Sequence, residues 1–115
     1  MSIRLTCTDP NSHLDVWVES LPAILGRSTD ADVQVIDQFA SRAHCELSIQ
    51  DGTLRIRDLN SGNGTLVNGE QITEATIECS DTLTVGVSSF RVQFSARSLV
   101  RVSDSRGAQS LQASE

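Results

Sequence analysis

The sequence predicts an all-β chain folded as an antiparallel sandwich, and three observations predict it. Apolar and polar residues alternate with a period of two along most of the chain. No stretch before residue 95 places apolar residues at i, i+3, i+4 and i+7 over eleven residues. Two dipeptides of hairpin type, Asp51-Gly52 and Asn68-Gly69, separate consecutive runs. A period of two turns one face of an extended strand inward. Asp-Gly and Asn-Gly supply the positive φ angles of a two-residue hairpin.

Taken in order, Ile3, Leu5 and Cys7 alternate with Arg4 and Thr6, and Leu14, Val16 and Val18 with Asp15, Trp17 and Glu19. Shorter candidates occupy 23–25 and 33–36. Cys45, Leu47 and Ile49 alternate with Glu46, Ser48 and Gln50, and a strand at 53–59 returns after Asp51-Gly52. Segments at 65–67, 71–73 and 76–79 are shorter, the second an edge beyond Asn68-Gly69. Leu83, Val85 and Val87 alternate with Thr82, Thr84 and Gly86, and Phe90, Val92 and Phe94 with Arg91, Gln93 and Ser95. Cys7, Cys45 and Cys79 stand in apolar register and read as small core residues. Beyond Ser95 the alternation fades into Ser, Gln, Ala and Gly, so the chain divides into a folded domain at 1–95 and a flexible C-terminal tail or linker at 96–115.

Composition removes several functions. Nine basic residues against fifteen acidic ones leave a net charge of −6, the wrong sign for a nucleic-acid binder that neutralises phosphates. All nine are arginine, so any mechanism that needs a lysine is excluded. Three widely spaced cysteines form no CxxC pair, and neither a disulfide framework, a metal site nor a cofactor is expected. No apolar run is long enough to span a bilayer and no signal-peptide pattern opens the chain, so a cytoplasmic protein is expected.

Three loops carry more polar residues than a turn needs: Leu25-Gly26-Arg27-Ser28, Phe39-Ala40-Ser41-Arg42-Ala43-His44, and Asp58-Leu59-Asn60-Ser61-Gly62-Asn63-Gly64-Thr65. If they share one end of the sandwich, Arg27, Ser41, Arg42 and Asn63 converge on one patch, and Gly62 and Gly64 let backbone N–H groups approach a ligand. Two guanidinium forks, a hydroxyl and an amide match phosphate oxygens, each charge-assisted bond contributing about 1.5–3 kcal/mol. A phosphorylated side chain on another protein is the natural ligand.

The combination of Gly26-Arg27, Ser41-Arg42-Ala43-His44, the run from Asp58 to Gly69 and Leu83-Thr84-Val85-Gly86 strongly resembles the forkhead-associated (FHA) domain over roughly residues 3–94. The resemblance implies an eleven-stranded β-sandwich that binds phosphothreonine peptides through loops at one end. On that pattern Arg27 and Ser41 contact the phosphate, Arg42 adds a further phosphate contact, and Asn63 bonds the peptide main chain. Gly26, His44, Gly64, Thr65, Asn68 and Gly69 hold the loops. Gly62 stands where many members carry a Thr or Ser that touches the ligand, and 77–81 departs from the commoner Leu-x-x-Gly-Asp turn.

Other readings of the same residues are plainer. Arg27 is also placed to pair with Asp30 or Asp32, and Ser41 to bond its own backbone. Ser41, His44 and Asp58 include the residue types of a hydrolytic triad, but Ser41 and His44 lie three apart with no nucleophile elbow and no oxyanion donors. No catalytic residue is assigned and the chain is not expected to be an enzyme. His44 is expected to clamp its loop through backbone hydrogen bonds, with Asp58 or Asn63 as neighbours. The expected function is phosphothreonine-dependent recognition of a Ser/Thr kinase or its substrate. The alternative is a phosphate-independent scaffold that uses a sheet face or edge.

Overall fold

Strands buried on one face must lay that face against a second layer, and this chain has enough of them for two. The computed structural model describes residues 2–8 and 15–95; the expected tail at 96–115 and the start of the second expected strand at Leu14 lie outside the described residues. Eleven strands form: β1 (Ile3–Cys7), β2 (Asp15–Val18), β3 (Ala23–Gly26), β4 (Val33–Gln34), β5 (Cys45–Gln50), β6 (Thr53–Asp58), β7 (Thr65–Val67), β8 (Glu70–Ile72), β9 (Glu74–Thr76), β10 (Thr82–Val85) and β11 (Ser88–Gln93). One sheet runs β2-β1-β11-β10-β7-β8 and the other β4-β3-β5-β6-β9. No helix occurs among the described residues, so none is long and apolar enough to cross a membrane.

The inward residues are those that the alternation singles out. Ile3 and Leu5, Leu25, Cys45 and Leu47, Leu54 and Ile56, Leu83 and Val85, and Phe90 and Val92 are all at most 2% exposed. Asp51 (φ 55°) and Gly52 (φ 74°) turn β5 into β6, and Asn68 (φ 53°) and Gly69 (φ 83°) turn β7 into β8. Every pairing is antiparallel except β3 with β4, where Leu25 lies opposite Val33 and Gly26 opposite Gln34. The segment between them doubles back because the Asp32 carboxylate accepts the Ile24 N–H at 2.8 Å.

Four details differ from the periodic reading. Gly86 (φ 70°) breaks the run that seemed to continue to Val87. Val85 pairs with Ser88, so Gly86-Val87 is itself a two-residue turn with glycine first, and Val87 is 71% exposed. The third edge strand is Glu74–Thr76 rather than 76–79. Ile77 continues it inward with its N–H on the Leu54 carbonyl, and a turn closed by Asp81 then leaves Cys79 exposed rather than buried. Cys7 is only half-buried, at the margin of the core. The β4 strand stops at Gln34, Val35 is buried and Ile36 is 80% exposed.

The strand directions sort the connections by end. Alternating pairing puts the segments after β3, β4 and β6, and the Gly86-Val87 turn, at one end. Asp51-Gly52, Asn68-Gly69 and the turn at 77–81 lie at the other.

Candidate functional site

The three polar loops do share an end, and hydrogen bonds weld them together. The Arg27 N–H donates to the Ser41 carbonyl (2.9 Å), the Ser28 N–H to the Arg42 carbonyl (3.2 Å) and the His44 N–H to the Leu25 carbonyl (2.8 Å). The β3 exit and the β4–β5 loop therefore approach closely at Gly26, where a Cβ atom would lie 1.9 Å from the Arg42 carbonyl oxygen. No side chain fits there, which is why glycine precedes Arg27.

His44 explains the rest of the local geometry. It is fully buried, its Nδ1 accepts the Ser41 N–H at 2.9 Å, and its Nε2 lies 2.8 Å from the Gly64 carbonyl. One neutral tautomer, with hydrogen on Nε2, satisfies both contacts. The ring is thus a strut between two loops. Both its hydrogen-bond partners are backbone groups, as expected, and Asp58 is an electrostatic neighbour of the ring without being bonded to it.

Asp58 organises the β6–β7 loop. Its carboxylate accepts the Ser61 N–H at 3.0 Å, the Ser61 hydroxyl and the buried Thr65 hydroxyl at 2.7 Å. Burial alone would push this carboxyl up, but the Ser61 and Thr65 bonds outweigh it and hold Asp58 below the usual carboxylate range. The Ser61 hydroxyl in turn accepts the Gly64 N–H at 2.9 Å. Gly62 and Asn63 are carried outward at the crest, both exposed.

Arg27, Ser41, Gly62 and Asn63 come together on this frame, while Arg42 adjoins Ser41 in the chain and turns to a separate hollow. The Arg27 Nε donates to the Ala40 carbonyl at 3.0 Å, which fixes the guanidinium and leaves its terminal nitrogens as donors. The Ser41 Oγ accepts the Gly62 N–H at 2.9 Å, so the hydroxyl proton is free for another acceptor. Asn63 Nδ2 donates to the Phe39 carbonyl at 2.7 Å. Arg42 is exposed and lines a shallow hollow of about 270 Å³ with Ile24, Ser28, Asp30 and Ala31. Among the described residues no ion pair involves Arg27 or Arg42, whereas Arg4, Arg55 and Arg57 pair with Asp15, Glu74 and Glu46 on the sheet faces. Asp30 and Asp32, the plainer partners for Arg27, are not bonded to it. A Cβ at Gly62 would meet only the Ser41 Oγ, at 3.8 Å, so the residue is not required by space.

Gly64 (φ 85°) and Thr65 belong to the same frame, Gly64 through the His44 contact and Thr65 through Asp58. Asn68 and Gly69 lie at the opposite end. There the Asn68 side chain donates to Asp81 at 3.0 Å and accepts the Thr82 N–H at 2.9 Å.

The residue that sequence reasoning missed is Asp37. It is 8% exposed and accepts the Phe39 N–H (2.8 Å), the Val87 N–H (2.8 Å) and the Ser88 hydroxyl (2.7 Å). Burial raises this carboxyl, and the hydrogen bonds from the Ser88 hydroxyl and from the backbone of Phe39, Val87 and Ser88 overcome it and hold it low. A Cβ at Gly86 would stand 2.8 Å from that carboxylate. The only local signal was a small acid two residues before Phe39, as in an Asx turn. Cys45, beside His44 in sequence, is fully buried in the core, and burial pushes its thiol up to about 12. It is no nucleophile. No cluster of metal-ligating side chains occurs among the described residues.

Fold and site together define a β-sandwich binding module whose loops at one end hold arginine, serine and asparagine donors on a hydrogen-bonded frame. The family model described as the FHA domain matches residues 23–86. The chain belongs to the FHA domain family. It is 39% identical over 62 residues to an ABC transporter ATP-binding/permease protein of Mycobacterium tuberculosis, covering 54% of this chain and 7% of that protein. It is 31% identical over 85 residues to the glycogen accumulation regulator GarA of Mycolicibacterium smegmatis, covering 74% of this chain and 52% of GarA. The chain thus spans about half the length of GarA and a small part of the transporter. A solved FHA domain, from a structural and functional analysis of phosphothreonine-dependent FHA domain interactions, superposes with a TM-score of 0.74 at 29% identity. That match covers 83% of this chain and 98% of the other.

Proposed function

We propose that the chain is a non-catalytic, phosphothreonine-dependent recognition module of cytoplasmic Ser/Thr kinase signalling. Its binding domain is 1–95, and 96–115 is a tail or linker. The observation that carries this reading is the pair of arginines without carboxylate partners, Arg27 and Arg42, beside a serine hydroxyl whose proton is uncommitted. On a protein of net charge −6 these donors suit a compact, doubly charged phosphate better than an extended acidic surface. Arg27, Ser41 and Arg42 take phosphate oxygens, while Asn63 and the Gly62 backbone meet the peptide main chain beside the phosphoresidue. Phosphothreonine dependence in a solved relative and the regulator's name of GarA support the reading. The partner is a phosphorylated kinase or a kinase substrate, and neither nucleic acid nor membrane.

The test is fluorescence polarisation with degenerate phosphothreonine, phosphoserine and unmodified peptide libraries. Saturable binding of the phosphothreonine library alone is expected, weakening below about pH 6 as the phosphate takes up its second proton. Arg27→Ala is expected to weaken it at least about tenfold, the equivalent of one charge-assisted hydrogen bond. Partner binding that survives Arg27→Ala would instead support a phosphate-independent scaffold.

A further inference from the structure

Each edge strand of a sheet presents a row of main-chain groups with no strand beyond it, a template for pairing. Four strands hold those places among the described residues: β2 and β8 in the six-stranded sheet, β4 and β9 in the five-stranded one. Three of them are blunted by brevity or charge. β4 has two residues, and β8 and β9 have three each, opening on Glu70 and Glu74. β2 is different. It has four residues, three of them apolar, and it pairs with β1 alone. Val18 is buried, but Val16, which shares its inward face, is only half-buried. Trp17, on the outer face, is 55% exposed.

The described chain ends beside this edge. Arg4 lies opposite Gln93 and Ile3 opposite Val18, so the same registers put Ser2 between Ser95 and Glu19. The Ser2 hydroxyl donates to the Glu19 carboxylate at 2.8 Å along that row. A strand outside β2 would stand three strand spacings from β11, about 14 Å. Five residue steps from Ser95 span about 16 Å, so such a strand can begin at Val100. β2 runs toward the end where β11 finishes, so a segment that turns back along it is antiparallel to it.

The residues that follow match the edge. With Val100 opposite Val18, Arg101 stands opposite Trp17, Val102 opposite Val16 and Ser103 opposite Asp15. Both valines then face inward, and Val102 covers Val16. A slip of one residue would turn both outward. Arg101 meets the indole of Trp17, whose ring already attracts the Arg4 guanidinium, 5.5 Å from its centre. The charges agree as well. Asp15 and Glu19 outnumber Arg4 along this edge, whereas 97–103 carries Arg97 and Arg101 and no acid.

We propose that residues 100–103 add to β2 as a twelfth, antiparallel strand, so that the segment following the domain closes the one apolar edge of the sandwich. The inference stands apart from the phosphopeptide reading, since neither Arg27 nor Ser41 takes part. An edge closed from within is not open to a strand of another molecule.

The test is nuclear magnetic resonance of the isotope-labelled full chain. Cross-strand Overhauser contacts are expected between Val100 and Val18 and between Val102 and Val16, the short distances of directly opposed residues. Backbone order parameters at 100–103 should be near about 0.85, as in rigid strands. Val102→Asp sets an unpaired carboxylate against Val16, in a segment on which the core does not depend. In that variant the contacts should vanish and the order parameters fall below about 0.6. Trp17, the one tryptophan, should become more open to acrylamide quenching, with the core resonances unmoved. Order parameters below about 0.6 throughout 96–115 in the unaltered chain, with no contact to β2, would overturn the inference. So would contacts that survive Val102→Asp, or contacts seen only between differently labelled copies, which would give the edge to a second molecule.

Discussion

The two ends of the sandwich solve the same geometric problem by different means. At the far end, chain reversal rests on backbone dihedrals: Asp51-Gly52, Asn68-Gly69 and Ser80 all take positive φ. The contacts there are exposed ones, such as Asn68 with Asp81. At the end that carries Arg27 and Ser41, Gly86-Val87 closes β10 on β11 in the same way, but the polar loops are longer and are held by side chains that water does not reach. Asp37, His44 and Thr65 are the buried polar residues among those described, and all three serve that end. The difference teaches what a recognition loop requires. A turn that only reverses direction needs two suitable dihedrals. A loop that must present donors at fixed positions needs buried, fully satisfied polar struts, because a strut left without its partner is costly in a low-dielectric interior.

This contrast can be broken in several ways, the largest effect first. Gly26→Ala drives a Cβ into the Arg42 carbonyl, which moves only if β3 parts from the loop that carries Ser41. A loss of more than about 3 kcal/mol is expected in urea denaturation, the scale of severe overpacking. A loss under about 1 kcal/mol would mean that the two segments are less tightly joined than the hydrogen bonds indicate.

A direct comparison of the ends comes next. His44→Ala leaves the Ser41 N–H and the Gly64 carbonyl without partners inside the protein, and about 3 kcal/mol is expected from two such groups and the cavity. Asn68→Ala, whose contacts are exposed, should lose about 1 kcal/mol. Equal losses would erase the distinction between buried strut and surface brace.

Ser80→Gly sharpens the comparison from the other side. Ser80 holds φ 78°, a conformation that a side chain disfavours by about 1–2 kcal/mol, at the position where the family's commoner turn has glycine. The variant should be more stable by about 1 kcal/mol with phosphopeptide affinity unchanged.

The smallest effect near neutrality is that of acid. Asp37 and Asp58 are both held below their ordinary range in the folded protein, so their contribution is complete above about pH 4 and is lost as pH falls through the lower, folded values. Unfolding midpoints should decline over that interval, and less steeply in Asp37→Asn or Asp58→Asn. Loss of phosphopeptide binding belongs to a separate window near pH 6, so the two titrations can be told apart on one sample.

Most of the fold was legible because it depends on short-range regularities. Alternation in 3–7, 45–49 and 90–94 reports which face is buried, and Asp-Gly and Asn-Gly report how a hairpin closes. The misreadings share one cause. Val87 continues an alternation that Gly86 interrupts through a positive φ, and Cys79 follows Ile77 in register although a turn begins between them. Periodicity carries no information about where a strand stops. Of the site, Arg27, Ser41, Arg42 and Asn63 stood out as polar excess in loops. Asp37 did not, because its meaning lies in Val87 and Ser88, about fifty positions away. No local pattern encodes that meeting.

The separation of main chain from side chain at the crest has an evolutionary consequence. Phe39 is tied to the frame by hydrogen bonds of its N–H and carbonyl, and Gly62 by its N–H, so those bonds do not depend on the side chain at either position. Both positions can vary while those bonds remain. A lineage could redirect such a module to a new partner by single substitutions at these positions, while the arginines and the buried struts stay as they are.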